Sequence, residues 1–452
     1  MRRADGGGVS RLRSIALTGL ALGVAWAATG ALRDAVRPRD PSASDGARLL
    51  EDVMDRVRTH YVDTVDDARL WELATLGLLG ELDDPNSSYL TPARRVALER
   101  TITNSYPGVG AQVAVIDGGP VIVQTRPGTP AERAGLEDGD ELLVVDGRST
   151  RGWSDAEARA ALRGPRGSSV RLEVAGPTGR RTLTLVRDQI HVNAIAGATI
   201  VWGDVAYLAV STFSDSTAVE LRRAVDSLVA RGARSLVLDL RGNPGGLLAQ
   251  GVEVADLFLG ESAQLVTTAG RTAASRRVYV DSTPSVWSSL PVVVLVNELT
   301  ASAAEIVAGA LQDNDRAVIL GRVTYGKGSA QGVYGLDNGA AISLTNARWY
   351  TPLGRSIEHP VPQEDDVRSP AETDTTRPVL RTPAGRVVKG GGGIVPDEEV
   401  GSANDLAGDR RLAAVVRRRG DGWLAALRAD AAVARAVAIL RRARTPRDVF
   451  ID

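Results

Sequence analysis

The aliphatic run Val292–Asn297 constrains this chain more than any other stretch, because Val292 to Val296 carry no polar position. Side chains alternate between the faces of a strand, so such a run belongs in a buried sheet rather than one open to water. The surrounding sequence agrees. Val205–Val210 and Ser235–Leu240 predict strands, Asp215–Ala230 an amphipathic helix, and Leu247–Leu259 a second helix. Ala303–Gln312 predicts a third helix and Ala317–Leu320 another strand. Strand–helix alternation across residues 190–350 predicts an α/β core with a mainly buried sheet.

The flanking regions read differently, and the fold class is α/β multidomain. Residues 47–100 are helical, with apolar residues at helical spacing, a break near Tyr61–Asp66, and a dense turn at Asp83-Asp84-Pro85-Asn86-Ser87-Ser88. Residues 103–188 form a β-rich module holding a short helix, Trp153–Leu162, which Ser154 and Glu157 open as a capping box. Residues 361–393 are polar, close on a glycine run, and predict a mobile insertion. Residues 401–452 predict an arginine-rich helical tail.

The first 32 residues read as an export segment: Arg2, Arg3, Arg11 and Arg13 precede an uncharged run from Ser14 to Leu32. Both an uncleaved membrane anchor, the favoured alternative, and a signal peptide cut near Ala25-Trp26-Ala27 fit it. An Arg-, Pro- and Ser-rich linker, residues 33–46, follows. The expected location is the cell envelope, with the catalytic part outside the cytoplasm, or the exterior.

Composition narrows the chemistry. Lys and Arg number 54 against 55 acidic residues, which argues against a nucleic-acid partner. There is no cysteine, so disulfides, thiolate metal sites and a cysteine nucleophile are excluded. His60, His191 and His359 are the only histidines, too few and too scattered for a metal cluster or a Ser–His–Asp triad. No GxGxxG fingerprint is present, and neither metal nor cofactor is expected. Only Lys327 and Lys389 are lysine; every other basic residue is arginine. Where arginine is the default, a lysine marks a position that needs a group able to lose its proton.

Lys327 sits between Gly326 and Gly328, 25 residues after Ser302, which stands between a buried strand and a helix start. A hydroxyl there points outward, and the next N–H, on Ala303, lacks a helical partner. A desolvated lysine can serve such a serine as general base, and Gln331 could orient the amine. The loop Arg241-Gly242-Asn243-Pro244-Gly245-Gly246 leaves a strand at the presumed carboxyl edge of the sheet, where its N–H groups could face an oxyanion. Gly108-Val109-Gly110, before a strand, could hold a peptide carboxylate while that strand pairs with the peptide. A plain cap, a plain turn and a hairpin glycine pair are the structural alternatives for these three places.

Several motifs, in order, resemble the carboxy-terminal processing or tail-specific proteases, serine peptidases with a PDZ domain. YVDTVDDARLWELATLGLLGELDDPNSSYLTP is similar to their helical amino-terminal segment, and RPGTPAERAGLEDGDELLVVDG to their PDZ core. LVLDLRGNPGGLL, ELTASAAEIVAGALQD and GRVTYGKGSAQ are similar to the oxyanion, nucleophile and base segments. TNARWYTPLGRSIEHP and GGGGIVPDEEV complete a likeness running from about Ala47 to Val400.

The resemblance implies an α/β protease core, residues 190–400, with an inserted PDZ domain, residues 103–188, and a helical amino-terminal region. It makes Ser302 the nucleophile, Lys327 the general base and Gln331 the residue assisting the lysine. The oxyanion hole comes from the N–H groups of Gly246 and Ala303. Ala304 stands where the family often has a second serine. The implied function is a serine endopeptidase cleaving proteins near their C-termini, with the substrate tail held by the PDZ domain near Gly108–Gly110. Its partners are proteins with accessible tails, and it is expected to be a homodimer. A non-catalytic PDZ-type peptide-binding protein and an envelope scaffold protein are the alternatives.

Overall fold

The computed structural model describes residues 43–359, 377–401 and 422–450. The export segment, most of the linker, residues 360–376 of the expected insertion and residues 402–421 of the tail lie outside the described residues. No helix among the described residues is long and apolar enough to cross a membrane.

Residues 43–78 belong to a compact unit of their own. Helix Ala43–His60 and the helix beginning at Asp67 flank the break, and Arg58 closes it with an ion pair to Asp67 at 2.8 Å. Leu49, Val53, Trp71, Leu73 and Leu78 of this unit are exposed.

The second unit, from Leu79 onward, is built on a six-stranded sheet. Its strands run Ile195–Trp202, Val205–Val210, Ser235–Asp239, Val292–Val296, Val318–Gly321 and Glu398–Glu399, in that spatial order. The first pair is antiparallel and the rest are parallel. Alternation divides the apolar side chains between two cores. Leu208, Leu236, Leu238, Val292, Val294 and Ile319 face helices Thr217–Ala230, Leu248–Asp256 and Ala303–Asp313. Tyr207, Val237, Val293, Leu295 and Leu320 face the other way, against the carboxy-terminal helices Trp423–Ala429 and Ala431–Leu440. Each aliphatic side chain so buried contributes about 1.5–3 kcal/mol. The arginine-rich tail is therefore the cover of one whole sheet face.

A second, antiparallel sheet packs Ser88–Leu90, Ser329–Gly335, Ala341–Tyr350, Gln264–Gly270 and Arg277–Val280. The β-rich module has a separate core beneath a six-stranded sheet, from Ala111–Ile116 to Gly179–Val186. Its helix Asp155–Leu162 starts at Ser154 with the expected capping box. The ribbon Ser105–Gly108 with Asp188–His191 leads into and out of this module.

One expectation is corrected. Residues 377–393 are not a mobile stretch: Val379–Arg381 and Val387–Lys389 pair as a hairpin. The glycine run then bonds along the 356–358 segment, from Gly391 N–H to Ser356 and from Gly393 N–H to Ile357 at 2.8 Å. Small residues allow that close approach, and polarity alone concealed it.

Candidate active site

Thr300 donates its hydroxyl to the Leu240 carbonyl, and Ala301 its N–H to the Asn243 carbonyl, both at 2.9 Å. The turn before helix Ala303–Asp313 is thereby stitched to the 241–246 loop. Within that turn Ser302 adopts φ +55°, ψ −117°. Few non-glycine residues do so, and such backbone costs of order 1–3 kcal/mol. A sharp strand-to-helix elbow of this kind presents its hydroxyl outward.

The facing loop is in contact. A methyl on Gly245, whose φ is +89°, would lie 2.7 Å from the Ser302 β-carbon and 2.9 Å from the Ala303 nitrogen. Gly245 gives its N–H to Asn243 Oδ1 at 2.8 Å and receives the Phe213 N–H on its carbonyl at 2.9 Å. Leu247 donates back to Phe213 at 2.8 Å, which leaves Gly246 facing the other way. The N–H groups of Gly246 and Ala303 have no acceptor among the described residues. The strained serine thus lies where a loop and a turn meet, each carrying an N–H without an acceptor among the described residues, and donors of this kind can stabilise an oxyanion.

Glu305 joins this elbow to the lysine loop. It is fully buried, and one carboxylate oxygen accepts both the Ser302 N–H at 2.7 Å and the Lys327 N–H at 3.0 Å. The other accepts the Gly326 N–H at 2.7 Å and the Thr324 hydroxyl. Burial raises the Glu305 carboxyl above its ordinary value against the pull of these four donors. The 25-residue separation of serine and lysine is thus closed by a single side chain. Ser302 followed three residues on by glutamate is the capping-box spacing, so the signal for Glu305 was present and unused.

Burial lowers the Lys327 amine below the ordinary lysine value, while the carboxylates of Glu358, Asp84 and Glu305 oppose that shift. The lysine borders a cavity of about 720 Å³ with Pro85, Asn86, Glu298, Glu358 and His359 among its walls. A methyl on Gly326 would meet His359 and the Gly393 nitrogen, so the glycine run forms the floor of the lysine loop. No hydrogen bond joins the Ser302 hydroxyl to the Lys327 amine in this structure. Catalytic bonds often tighten only with substrate present.

Gln331 lies on strand Ser329–Gly335, and its amide nitrogen donates to Ser329 at 3.1 Å and Thr345 at 3.2 Å. Those bonds leave its side-chain carbonyl uncommitted, the group expected to face the lysine amine. Lys389, the other lysine, sits in the hairpin, where its carbonyl accepts from Arg355 at 2.8 Å.

In the β-rich module Val109 is buried, and its carbonyl accepts the Ala131 N–H at 2.8 Å. The N–H groups of Val109 and Gly110 find no acceptor among the described residues. Gly108 bridges Arg163 at the far end of the module's helix. A groove of about 470 Å³ runs between the edge strand and that helix, with Tyr106, Val113, Leu162 and Arg163 among its walls. Among the described residues, no group of three or more carboxylates or histidines is placed to hold a metal ion.

A strained serine beside N–H groups without acceptors, a lysine loop tied to it through Glu305 and an edge-strand groove in a separate module fit a serine-type peptidase that carries a second domain. Residues 204–367 match peptidase family S41, and residues 121–176 match the PDZ domain. Carboxy-terminal processing protease CtpA of Bacillus subtilis is 36% identical over 310 residues, 68% of this chain and 66% of that protein. The carboxy-terminal-processing protease of Bartonella bacilliformis is 36% identical over 313 residues, 68% of this chain and 71% of its own length. A solved photosystem II D1 C-terminal processing protease is 29% identical, covering 82% of this chain and 92% of its own, with a TM-score of 0.42. The chain belongs to the carboxy-terminal processing proteases of peptidase family S41.

Proposed function

We propose that this chain is an endopeptidase that cuts proteins near their C-termini with a Ser302–Lys327 dyad. The observation that carries the proposal is the Ser302 elbow held by Glu305 to the Lys327 loop and faced by two unpaired N–H groups. Neutral Lys327 takes the hydroxyl proton as Ser302 Oγ bonds to the scissile carbonyl carbon. The Gly246 and Ala303 N–H groups hold the resulting oxyanion. The tetrahedral intermediate collapses, the C–N bond breaks, and Lys327 gives its proton to the leaving amine. Water then attacks the acyl-enzyme, passing its proton to Lys327, and Ser302 leaves with that proton. Gln331 supports the site by tying Ser329, on the strand that follows the lysine, to Thr345 on the neighbouring strand Ala341–Tyr350.

The substrate tail adds as a strand along Ala111–Ile116, its carboxylate at the Val109 and Gly110 N–H groups. This gives the groove one occupant, a free C-terminus. The enzyme works outside the cytoplasm, carried there by the export segment. It dimerises through the amino-terminal helices, a role supported by the exposed Leu49, Val53, Trp71 and Leu73. The test uses one protein substrate with its tail free or amidated, and the Ser302→Ala variant as control. Cleavage of the free-tailed form, slower cleavage of the amidated form and none by the variant are expected. Equal cleavage of both forms would remove tail recognition, and cleavage by the variant would remove the nucleophile.

A further inference from the structure

We propose that Asp430, at the corner between the two carboxy-terminal helices, is a positioning residue for the loop that carries the Gly246 N–H, acting through Arg241. The inference rests on the reading that Gly246 stabilises an oxyanion.

Arg241 opens the loop at the end of strand Ser235–Asp239, and only 7% of its side chain is exposed. Two carboxylates from distant parts of the chain hold its guanidinium. Asp239 takes Nε at 3.0 Å and Nη2 at 2.7 Å, while Asp430 takes Nη1 at 3.0 and 3.2 Å. A planar guanidinium gripped on two edges is fixed in orientation as well as place. Asp239 is itself fixed by the Tyr207 hydroxyl at 2.8 Å and by the Arg241 N–H at 2.9 Å.

Asp430 is fixed from the other side. It caps helix Ala431–Leu440 by accepting the Val433 N–H at 2.9 Å, and that helix buries Val433, Val437 and Leu440 on the sheet. The tail makes other clamps. Arg428 donates to the Val201 carbonyl at 3.0 Å, and Arg435 grips Glu398 with two bonds of 2.7 Å. Those clamps hold the sheet's ends, whereas Asp430 reaches the root of the 241–246 loop. Oxyanion donors act only when fixed beforehand at about 2.7–3.1 Å from the developing charge, so a loosened root is felt as lost rate rather than lost binding. The chain has thus joined the helices covering one sheet face to the catalytic loop on its edge.

Asp430→Asn separates this role from a structural one, because asparagine caps a helix as well as aspartate does. The full chain is assayed on a short peptide substrate, with active sites titrated by a serine-reactive phosphonate. In Asp430→Asn, kcat per titrated site falls about tenfold with KM within about twofold. The Ki of a peptide aldehyde, whose hemiacetal oxygen occupies the oxyanion position, rises by the same factor. Asp430→Glu recovers most of the loss. Arg435→Gln, which loosens the same helix at Glu398, lowers the melting temperature and leaves kcat per site unchanged. An Asp430→Asn enzyme with kcat and aldehyde Ki within twofold of the parent overturns the proposal. So does one that loses only titratable sites, and so does a glutamate variant no better than asparagine. A parent chain that neither cleaves nor titrates defeats the dyad reading itself, and this proposal with it.

Discussion

Two glycine turns of this protein, Gly245–Gly246 and Gly108–Gly110, each stand beside a strand and leave N–H groups unpaired, but they are held by opposite means. The first lies among fully buried polar side chains, Asn243, Asn297, Thr300 and Glu305, whose hydrogen bonds join it to the Ser302 elbow. The second is held by backbone bonds from Ala131 and Arg126 to the Val109 and Gly110 carbonyls and by the apolar Val109 side chain in the core of the β-rich module, and it borders an open groove. A buried, fully paired polar network tolerates little displacement, since every misplaced group loses its partner. An edge strand beside a groove can accept many sequences, because backbone atoms do the pairing. On the proposed function, catalysis and recognition place different demands on the same local motif.

The comparison is broken most severely at the dyad. Lys327→Arg keeps the positive charge but cannot release the proton, so kcat on a short peptide drops by at least about 10³-fold with the melting temperature unchanged. Near-normal turnover in that variant would leave the lysine without its assigned role. Gly245→Ala forces a methyl to 2.7 Å from the Ser302 β-carbon at a φ of +89°, and kcat falls by about 10²-fold. Glu305→Gln keeps the shape of the buried tie but sets an NH₂ against backbone donors. Chemical denaturation is expected to register a loss of about 1–3 kcal/mol, together with reduced kcat.

The recognition turn responds differently. Gly110 has φ +88°, and a methyl there would lie 2.3 Å from the Thr129 β-carbon. Gly110→Ala should weaken binding of a free-tailed peptide by about tenfold, in line with one disturbed hydrogen-bonding site, while short-peptide kcat is untouched. A matching loss of kcat would mean that the two turns are not independent. The smallest change sharpens the picture at Lys327. Burial lowers the lysine pKa and Glu358 raises it; on the proposed mechanism the neutral amine is the active form, so rate is lost as pH falls through that pKa. Removing the charge in Glu358→Gln lets the pKa fall further, and the acid limb of the kcat/KM profile moves to lower pH. A limb that moves upward contradicts the assignment.

What the sequence revealed and what it hid divide along physical lines. Val292–Val296 announced its strand because both faces are buried, and the module's helix announced its start through Ser154 and Glu157. The strands Gln264–Gly270, Arg277–Val280 and Ser329–Gly335 carry no comparable pattern, since they are mixed in polarity and partly exposed. They are strands because Ala341–Tyr350 pairs with Gln264–Gly270 and Ser329–Gly335, and Gln264–Gly270 in turn with Arg277–Val280, a tertiary cause. Ser302 and Lys327 could be singled out by position and by the scarcity of lysine. The positive φ of Ser302 could not, because no residue type signals a strain imposed by neighbours. The hydroxyl partners of Gln331 were hidden for the same reason, since strand register sets them. The tail's helices were legible as helices, but their purpose depends on a sheet face formed some 200 residues earlier.

The central claim is that Ser302 attacks and that Lys327 removes its proton. The most direct measurement is the rate and site of phosphonate labelling, read by mass spectrometry of the digested chain, in the parent and in Lys327→Arg. The account predicts a single adduct on the peptide containing Ser302, formed faster as pH rises, and no adduct in the arginine variant. An adduct on another serine, or equal labelling in both chains, would contradict it.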